Sequence, residues 1–193
     1  MKQIIAVKYL LAAVMLLIYS TAQAVEFKGV VGFGFDFGGE VLKSGTYTDG
    51  STWEARANQG LVLNGGVVMV TDSFETQVTI GYKFGGPQAK NGSVTFDEMP
   101  LDLVEFYRTT NLRMGLGISY LSSPRLVVDI PGASSTTKYD NVVATVAQIG
   151  WAPEKTPFSI DLRYTMAKFK ESGVANAKDI NGNVVGLYMS YFF

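Results

Sequence analysis

Apolar and polar residues alternate with a period of two through most of the chain after residue 24, and this period predicts β-strands. The final run is typical: Val185, Leu187, Met189, Tyr191 and Phe193 share one side of an extended backbone. We predict eight strands, at about residues 25–38, 58–70, 74–84, 95–108, 111–120, 141–152, 158–167 and 185–193.

The fourth predicted strand has the least regular pattern. Leu103 shares its parity with Glu105, whereas Val104 and Phe106 share theirs with Asp102. A β-bulge near Leu103 and Val104 would restore the alternation, because one extra residue exchanges the two faces of a strand. We therefore expect a bulge at this point.

The connections between the predicted strands differ in length in a regular way. Short turns are expected near residues 71–73, 109–110 and 153–157, and long loops over about 39–57, 85–94, 122–140 and 170–182. An antiparallel meander with short turns at one end and long polar loops at the other is typical of outer-membrane barrels.

The N-terminal segment has the features of a secretory signal. Lys2 and Lys8 precede an uncharged apolar run over residues 9–19, and Ala22 and Ala24 supply the small residues that precede a cleavage site. We predict cleavage after residue 24 and a single domain over residues 25–193. A run of this length is too short for a membrane-spanning helix.

The composition limits the classes of partner. Without residues 1–24 the chain has 14 Lys and Arg against 17 Asp and Glu, a formal charge of −3, so no basic nucleic-acid surface is expected. The sequence has no Cys, so it forms no disulfide.

The final aromatic strand resembles the closing strand of the small eight-stranded bacterial outer-membrane β-barrels, such as OmpA-like transmembrane domains, opacity-type porins and the outer membrane protein W family. The resemblance implies an all-β fold, an eight-stranded antiparallel up-and-down transmembrane barrel with both termini in the periplasm. It implies a monomer in the outer membrane, in contact with the bilayer and lipopolysaccharide. It also implies that the outer-membrane assembly machinery recognises Tyr191 and Phe193.

A periplasmic or secreted β-sandwich is the alternative, since one apolar and one polar face per strand fits either architecture. In a barrel the aromatics would form two girdles at the membrane surfaces. We expect Phe27, Trp151, Phe158, Tyr191 and Phe193 at the periplasmic surface, and Phe37, Tyr82, Phe84 and Tyr120 at the outer one.

An eight-stranded barrel is only just wide enough for its interior to be filled by side chains. The inward positions carry charges of both signs, which must be paired or hydrogen-bonded when buried. We expect a network of ion pairs, with Arg113 beside Glu75 and Arg163 beside Asp161 as candidate pairs. Its predicted members are Glu26, Lys28, Asp36, Glu75, Lys83, Arg113, Asp161 and Arg163.

Catalysis, metal binding and cofactor binding are not expected. The sequence has no His, the usual general base near neutral pH, and no spacing marks Asp97, Glu105 or Asp161 as a catalytic pair. The run over residues 179–183 lacks the downstream acid of a calcium loop and reads as a turn.

The long loops are the expected place of function. Trp53 and the segment 126–130 would either bind an extracellular ligand or extend the hairpins. We therefore expect a structural or surface-interaction protein of the envelope, with a narrow channel for small solutes or hydrophobic ligands as the alternative function.

Overall fold

The computed structural model describes residues 25–47, 49–89 and 92–193. The predicted signal segment, residues 1–24, lies outside the described residues. None of the described segments is a helix long and apolar enough to cross a membrane. The strands of the described chain are β1 (Glu26–Gly38), β2 (Val41–Thr46), β3 (Thr52–Arg56), β4 (Gly60–Val70), β5 (Phe74–Gly85), β6 (Gln88–Ala89), β7 (Gly92–Arg108), β8 (Leu112–Ile130), β9 (Ala133–Lys138), β10 (Val142–Trp151), β11 (Phe158–Met166), β12 (Lys168–Phe169), β13 (Ile180–Asn181) and β14 (Val184–Phe192).

Eight of these strands close into a barrel. Strands β1, β4, β5, β7, β8, β10, β11 and β14 each pair antiparallel with the next in this order, and β14 pairs back onto β1. A closed ring leaves no second sheet to face the first, so the sandwich alternative is wrong. The prediction of an eight-stranded antiparallel up-and-down barrel is confirmed.

The register of the ring fixes how its strands tilt. A path of paired residues that leaves β1 at Glu26 crosses all eight strands and returns to β1 at Asp36, a shift of ten residues. Such a stagger requires strands tilted by roughly 35 to 45° to the barrel axis. The tilt brings residues that are far apart in the sequence to the same level of the interior.

The two faces of the wall differ as the period-two pattern predicts. In β11 every second residue is buried and every intervening residue is exposed. The exposed outer positions are large and apolar, as in Phe27 (72 % exposed), Leu116 (71 %) and Val143 (62 %). A continuous apolar exterior of this size is unfavourable in water and matches the hydrocarbon of a bilayer.

Aromatic side chains lie at both ends of this apolar exterior. At the short-turn end Phe158 and Tyr191 pack with ring centroids 5.1 Å apart, and Tyr191 stacks on Phe193 at 6.3 Å. At the long-loop end Tyr82 stacks on Phe84 at 5.7 Å. The positions match the two expected girdles, which suit the interfaces of a membrane.

The expected bulge near Leu103 and Val104 is wrong. From Met99 to Arg108 strand β7 alternates regularly, with Val104 and Phe106 inward and Glu105 outward. The irregularity lies instead where Asp97 pairs with Arg125 and Met99 with Ser122, so that β8 has one more residue than β7 between these pairs. The strand tolerates inward apolar residues because the interior is partly apolar at this level, where Val104 and Phe106 pack on Val146.

Three of the four predicted long loops contain ordered strand among the described residues, whereas residues 170–182 include only the short strand β13. Residues 41–56 contain the hairpin of β2 and β3, and β8 continues to Ile130 before β9 returns as its partner. Alternation of inward Leu126 and Val128 with more exposed neighbours sustains the strand beyond the barrel wall. The assignment of residues 122–140 to a loop was therefore wrong, because the alternating pattern does not stop at the end of the barrel.

Two adjacent glycines give a matched test of the wall. A Cβ at Gly66 would lie 1.9 Å from the carbonyl oxygen of Val78, whereas the nearest atom to a Cβ at Gly65 is 3.6 Å away. We predict that Gly66→Ala destabilises the folded barrel by about 1 to 3 kcal/mol, the usual range for overpacking. Gly65→Ala should change the stability by less than about 0.5 kcal/mol.

Urea unfolding in lipid vesicles, followed by tryptophan fluorescence, measures both variants. Equal unfolding midpoints for the two alanine variants would contradict the close approach of β4 and β5 at Gly66.

Candidate functional site

The barrel lumen holds most of the charged residues singled out from the sequence. Six of the eight predicted members, Asp36, Glu75, Lys83, Arg113, Asp161 and Arg163, are buried inside the barrel. The other two, Glu26 and Lys28, pair with each other at 3.1 Å at the short-turn mouth and are partly exposed to solvent. The buried residues divide into two groups.

The turn-end cluster comprises Glu75, Arg108, Arg113, Ser159 and Asp161. The Arg113 guanidinium donates to both carboxylate oxygens of Asp161, with Nε 2.7 Å from Oδ1 and Nη2 2.6 Å from Oδ2. Arg113 also donates to Glu75 Oε2 at 3.2 Å and to Ser159 Oγ at 2.8 Å. Arg108 donates to the other oxygen of Glu75. Two cations therefore balance two carboxylates.

Aromatic and small residues make room for Arg113. Its guanidinium carbon lies 4.2 Å from the ring centroid of Phe106 and 5.3 Å from that of Phe192. Gly150 lies between Arg113 and Asp161 in the register, and a Cβ there would come within 2.0 Å of Asp161 Oδ1. The missing side chain at Gly150 lets the two charged groups meet across the intervening strand.

The candidate pair of Arg163 with Asp161 is wrong, whereas Arg113 does contact Glu75. Arg163 instead forms a bidentate pair with Asp102, at 2.7 and 3.0 Å. The barrel stagger explains the exchange, because it places Asp161 opposite Arg113 across Gly150 and brings β7 within reach of Arg163.

The loop-end cluster comprises Asp36, Asn58, Lys83, Glu98, Asp102, Arg163 and Tyr188. Lys83 Nζ lies 2.7 Å from Asp36 Oδ2 and 3.2 Å from Glu98 Oε1, and it donates to the side-chain oxygen of Asn58. The Tyr188 hydroxyl donates to Asp36 at 2.9 Å, and the Arg163 guanidinium carbon lies 5.1 Å from the Tyr188 ring centroid.

The loop-end cluster has more acids than bases. Its three carboxylates, from Asp36, Glu98 and Asp102, face two cations, from Lys83 and Arg163. Neither oxygen of Glu98 has a hydrogen-bond partner among the described residues, so Lys83 is its stabilising neighbour. Loss of a cation from this cluster should therefore cost more than loss of an acid.

Sequence reasoning missed Asn58, Glu98, Asp102, Arg108 and Tyr188 as parts of the network. Asp102 and Arg108 have the inward parity of β7, which the period-two pattern could have supplied. Glu98 has the same parity, but Asp97 beside it is buried as well, at the register shift, so alternation alone does not separate these two acids.

A third, apolar group covers the loop end of the lumen, and we call it the outer cap. Its buried residues are Ala55, Ala57, Val94, Phe96, Leu121, Leu126, Val128, Tyr139, Ala144, Ala167 and Phe169. Phe96 is at its centre, with ring centroids 5.7 Å from Phe169 and 6.0 Å from Tyr139. Trp53 packs partly buried against the cap, so it and the segment 126–130 extend and close the hairpins.

Polar contacts tie the segments around the cap together. Glu40 accepts from Lys178 Nζ at 2.9 Å and from the backbone N–H of Asn181 at 3.1 Å. The Lys178 hydrogen bond, together with the backbone donor, lowers the pKa of the Glu40 carboxyl below its usual value. Arg125 donates to Asp97 at 2.8 Å. These contacts join the first loop to the fourth and β7 to β8.

The carboxylates considered for catalysis lie apart. Asp97 pairs with Arg125 at the loop end and Asp161 with Arg113 near the turns, while Glu105 faces outward. The described residues contain no group of three or more His, Cys, Asp or Glu that could hold a metal ion. Asn181 Oδ1 accepts from the backbone N–H of Asn183 at 2.9 Å, which is turn chemistry.

Comparison with solved structures identifies the architecture. The barrel matches the crystal structure of Neisserial surface protein A at a TM-score of 0.50 and 12 % identity, covering 89 % of this chain and all of that chain. It matches the attachment invasion locus protein Ail of Yersinia pestis, solved with the heparin analogue sucrose octasulfate, at a TM-score of 0.51 and 12 % identity. That match covers 88 % of this chain and 99 % of Ail.

The fold is that of the small outer-membrane β-barrels. No protein-family model matches the chain, and no curated protein matches it. In this outer-membrane barrel Tyr191 faces outward, and the Phe193 ring covers Gly29 of β1 on the outer surface. Recognition of these two residues by the assembly machinery stays a prediction.

The charge imbalance of the loop-end cluster gives a test. We predict that Arg163→Met, which leaves three buried carboxylates with one cation, destabilises the barrel by about 3 to 5 kcal/mol, the cost of breaking a buried ion pair. Asp102→Asn leaves two carboxylates with two cations and should cost clearly less.

Urea titration in vesicles gives both free energies, and the double variant completes a mutant cycle. Equal losses for the two single variants, or a larger loss for Asp102→Asn, would contradict the charge count.

Proposed function

We propose that this protein is an integral outer-membrane barrel with a closed lumen, which acts as a structural or surface-interaction protein through its loop-end surface. The proposed role is non-catalytic. In this proposal the chain is a monomer, with its short turns in the periplasm and its aromatic girdles in the bilayer interfaces. The outer hairpins, formed by β2 with β3 and by β8 with β9, lie among lipopolysaccharide.

The observation that carries the proposal is the filling of the lumen at three successive levels. The three levels are the turn-end cluster, the loop-end cluster and the outer cap. The residues at their centres, Arg113, Lys83 and Phe96, are each at least 95 % buried. A solute would have to break buried ion pairs and then part an apolar core. This supports a closed barrel over the alternative, a narrow channel for small solutes or hydrophobic ligands.

The outer hairpins offer polar surface for an extracellular ligand. The exposed strand β9 presents Ser134, Ser135 and Thr136, and a separate open cavity of about 460 Å³ is lined by residues that include Lys168 and Lys170. Loops held on a rigid barrel are where such scaffolds carry recognition. We propose that the ligand is polar, since the cavity lining also includes Asp140 and Asp179.

Planar-bilayer recording tests the closed lumen. We predict that purified protein, shown to be folded by its heat-modifiable mobility, produces no reproducible conductance steps. If ions do pass the turn-end cluster, Glu75→Gln should shift the preference for cations over anions, because Glu75 is buried there beside Arg113.

Glu54→Gln, at an exposed position in the hairpin of β2 and β3, is the matched control, because it removes the same charge outside the lumen. If the wild-type protein gives reproducible steps, and their ion preference changes in Glu75→Gln but not in Glu54→Gln, the closed lumen is refuted and the channel is favoured.

A further inference from the structure

One charged residue lies on the apolar outside of the barrel. Glu105 is exposed on β7, at a position whose parity it shares with Met99, Leu101, Leu103 and Tyr107. Along the described barrel strands no other acid or base occupies an outward position between the two aromatic girdles. The packing of the interior gives no reason for a carboxylate here, because the side chain points away from the lumen.

Glu105 lies on the hydrocarbon side of the turn-end aromatics. Tyr107, the next outward residue toward the turn, packs edge-on against Phe74 of β5 with centroids 5.6 Å apart. Two residues along a tilted strand correspond to about 5 Å of depth. The carboxylate is thus just inside the expected interface, where an uncompensated charge is unfavourable.

A neighbouring hydroxyl satisfies part of this carboxylate. Thr76, the cross-strand partner of Glu105, donates from Oγ1 to Oε2 at 2.6 Å. An ionised carboxylate accepts several hydrogen bonds through both oxygens, and no bond to the other oxygen of Glu105 is formed by the described residues. The Thr76 hydroxyl therefore holds the Glu105 carboxylate in place, and the second carboxylate oxygen can accept a hydrogen bond from the surrounding lipid.

The chemistry of that acceptor selects its ligand. Negative charge at the headgroup boundary repels anionic phosphates and attracts a cation, and an N–H donor at hydrogen-bonding distance adds a charge-assisted bond. A primary ammonium supplies both, whereas a quaternary ammonium supplies charge without a donor. Apolar and aromatic neighbours suit the acyl chains and glycerol region of the same molecule.

We propose that Glu105 and Thr76 bind the ammonium headgroup of an aminophospholipid in the leaflet at the short-turn end of the barrel. The inference rests on the proposed function, which places the two aromatic girdles in the bilayer interfaces.

Electron spin resonance of chain-labelled lipids in proteoliposomes tests the site. Wild-type barrel should associate with labelled phosphatidylethanolamine about two- to fivefold more strongly than with labelled phosphatidylcholine, the range for an exposed ion pair. Glu105→Gln should abolish this preference. Glu26→Gln, which removes a partly exposed carboxylate at the same end but on the inward side of the wall, should retain it.

Equal preference in wild type and Glu105→Gln would overturn the proposal. So would a wild-type dimer that becomes monomeric in Glu105→Gln, because the carboxylate would then contact a second copy of the chain. Failure of the membrane location is recognised separately: the wild-type protein would then show no motionally restricted lipid component of any headgroup.

Discussion

The structure depends on the need to satisfy every backbone hydrogen bond in a medium without water. Hydrocarbon cannot hydrate a sheet edge, so the sheet must close, and here β14 closes it onto β1. Closure with a stagger of ten residues then decides what each side chain meets. Outward residues face lipid, and inward residues face a space hardly wider than their own side chains.

The charges of the lumen follow from that confinement. Inside the barrel they must find partners across strands, and glycines such as Gly150 leave space for those contacts. The turn-end cluster contains equal numbers of positive and negative side chains, whereas the loop-end cluster contains one more carboxylate than cations. Above them the outer cap replaces charge with aromatic packing around Phe96. In the proposed closed barrel, ion pairing and hydrophobic burial block the same path in succession.

Much of the wall could be predicted from the sequence, because a period of two directly encodes inside and outside. The pattern in β11 and β14 left no ambiguity, and both strands formed where expected. Pairings inside the lumen could not be predicted in the same way. Whether Arg163 meets Asp161 or Asp102 depends on the stagger of β7, β8 and β10 relative to β11, which no local pattern records. The outer cap was missed because its strands continue beyond the barrel as hairpins.

Accessibility of a buried side chain tests the closed lumen most directly. The chain has no Cys, so a single Ser119→Cys variant places one thiol at a fully buried inward position of β8, and Ser134→Cys places one on the exposed strand β9 as its control. In proteoliposomes treated on both sides with a small charged thiol reagent, a closed lumen predicts rapid labelling at position 134 and protection at position 119. Labelling of both thiols at similar rates would contradict the closed barrel.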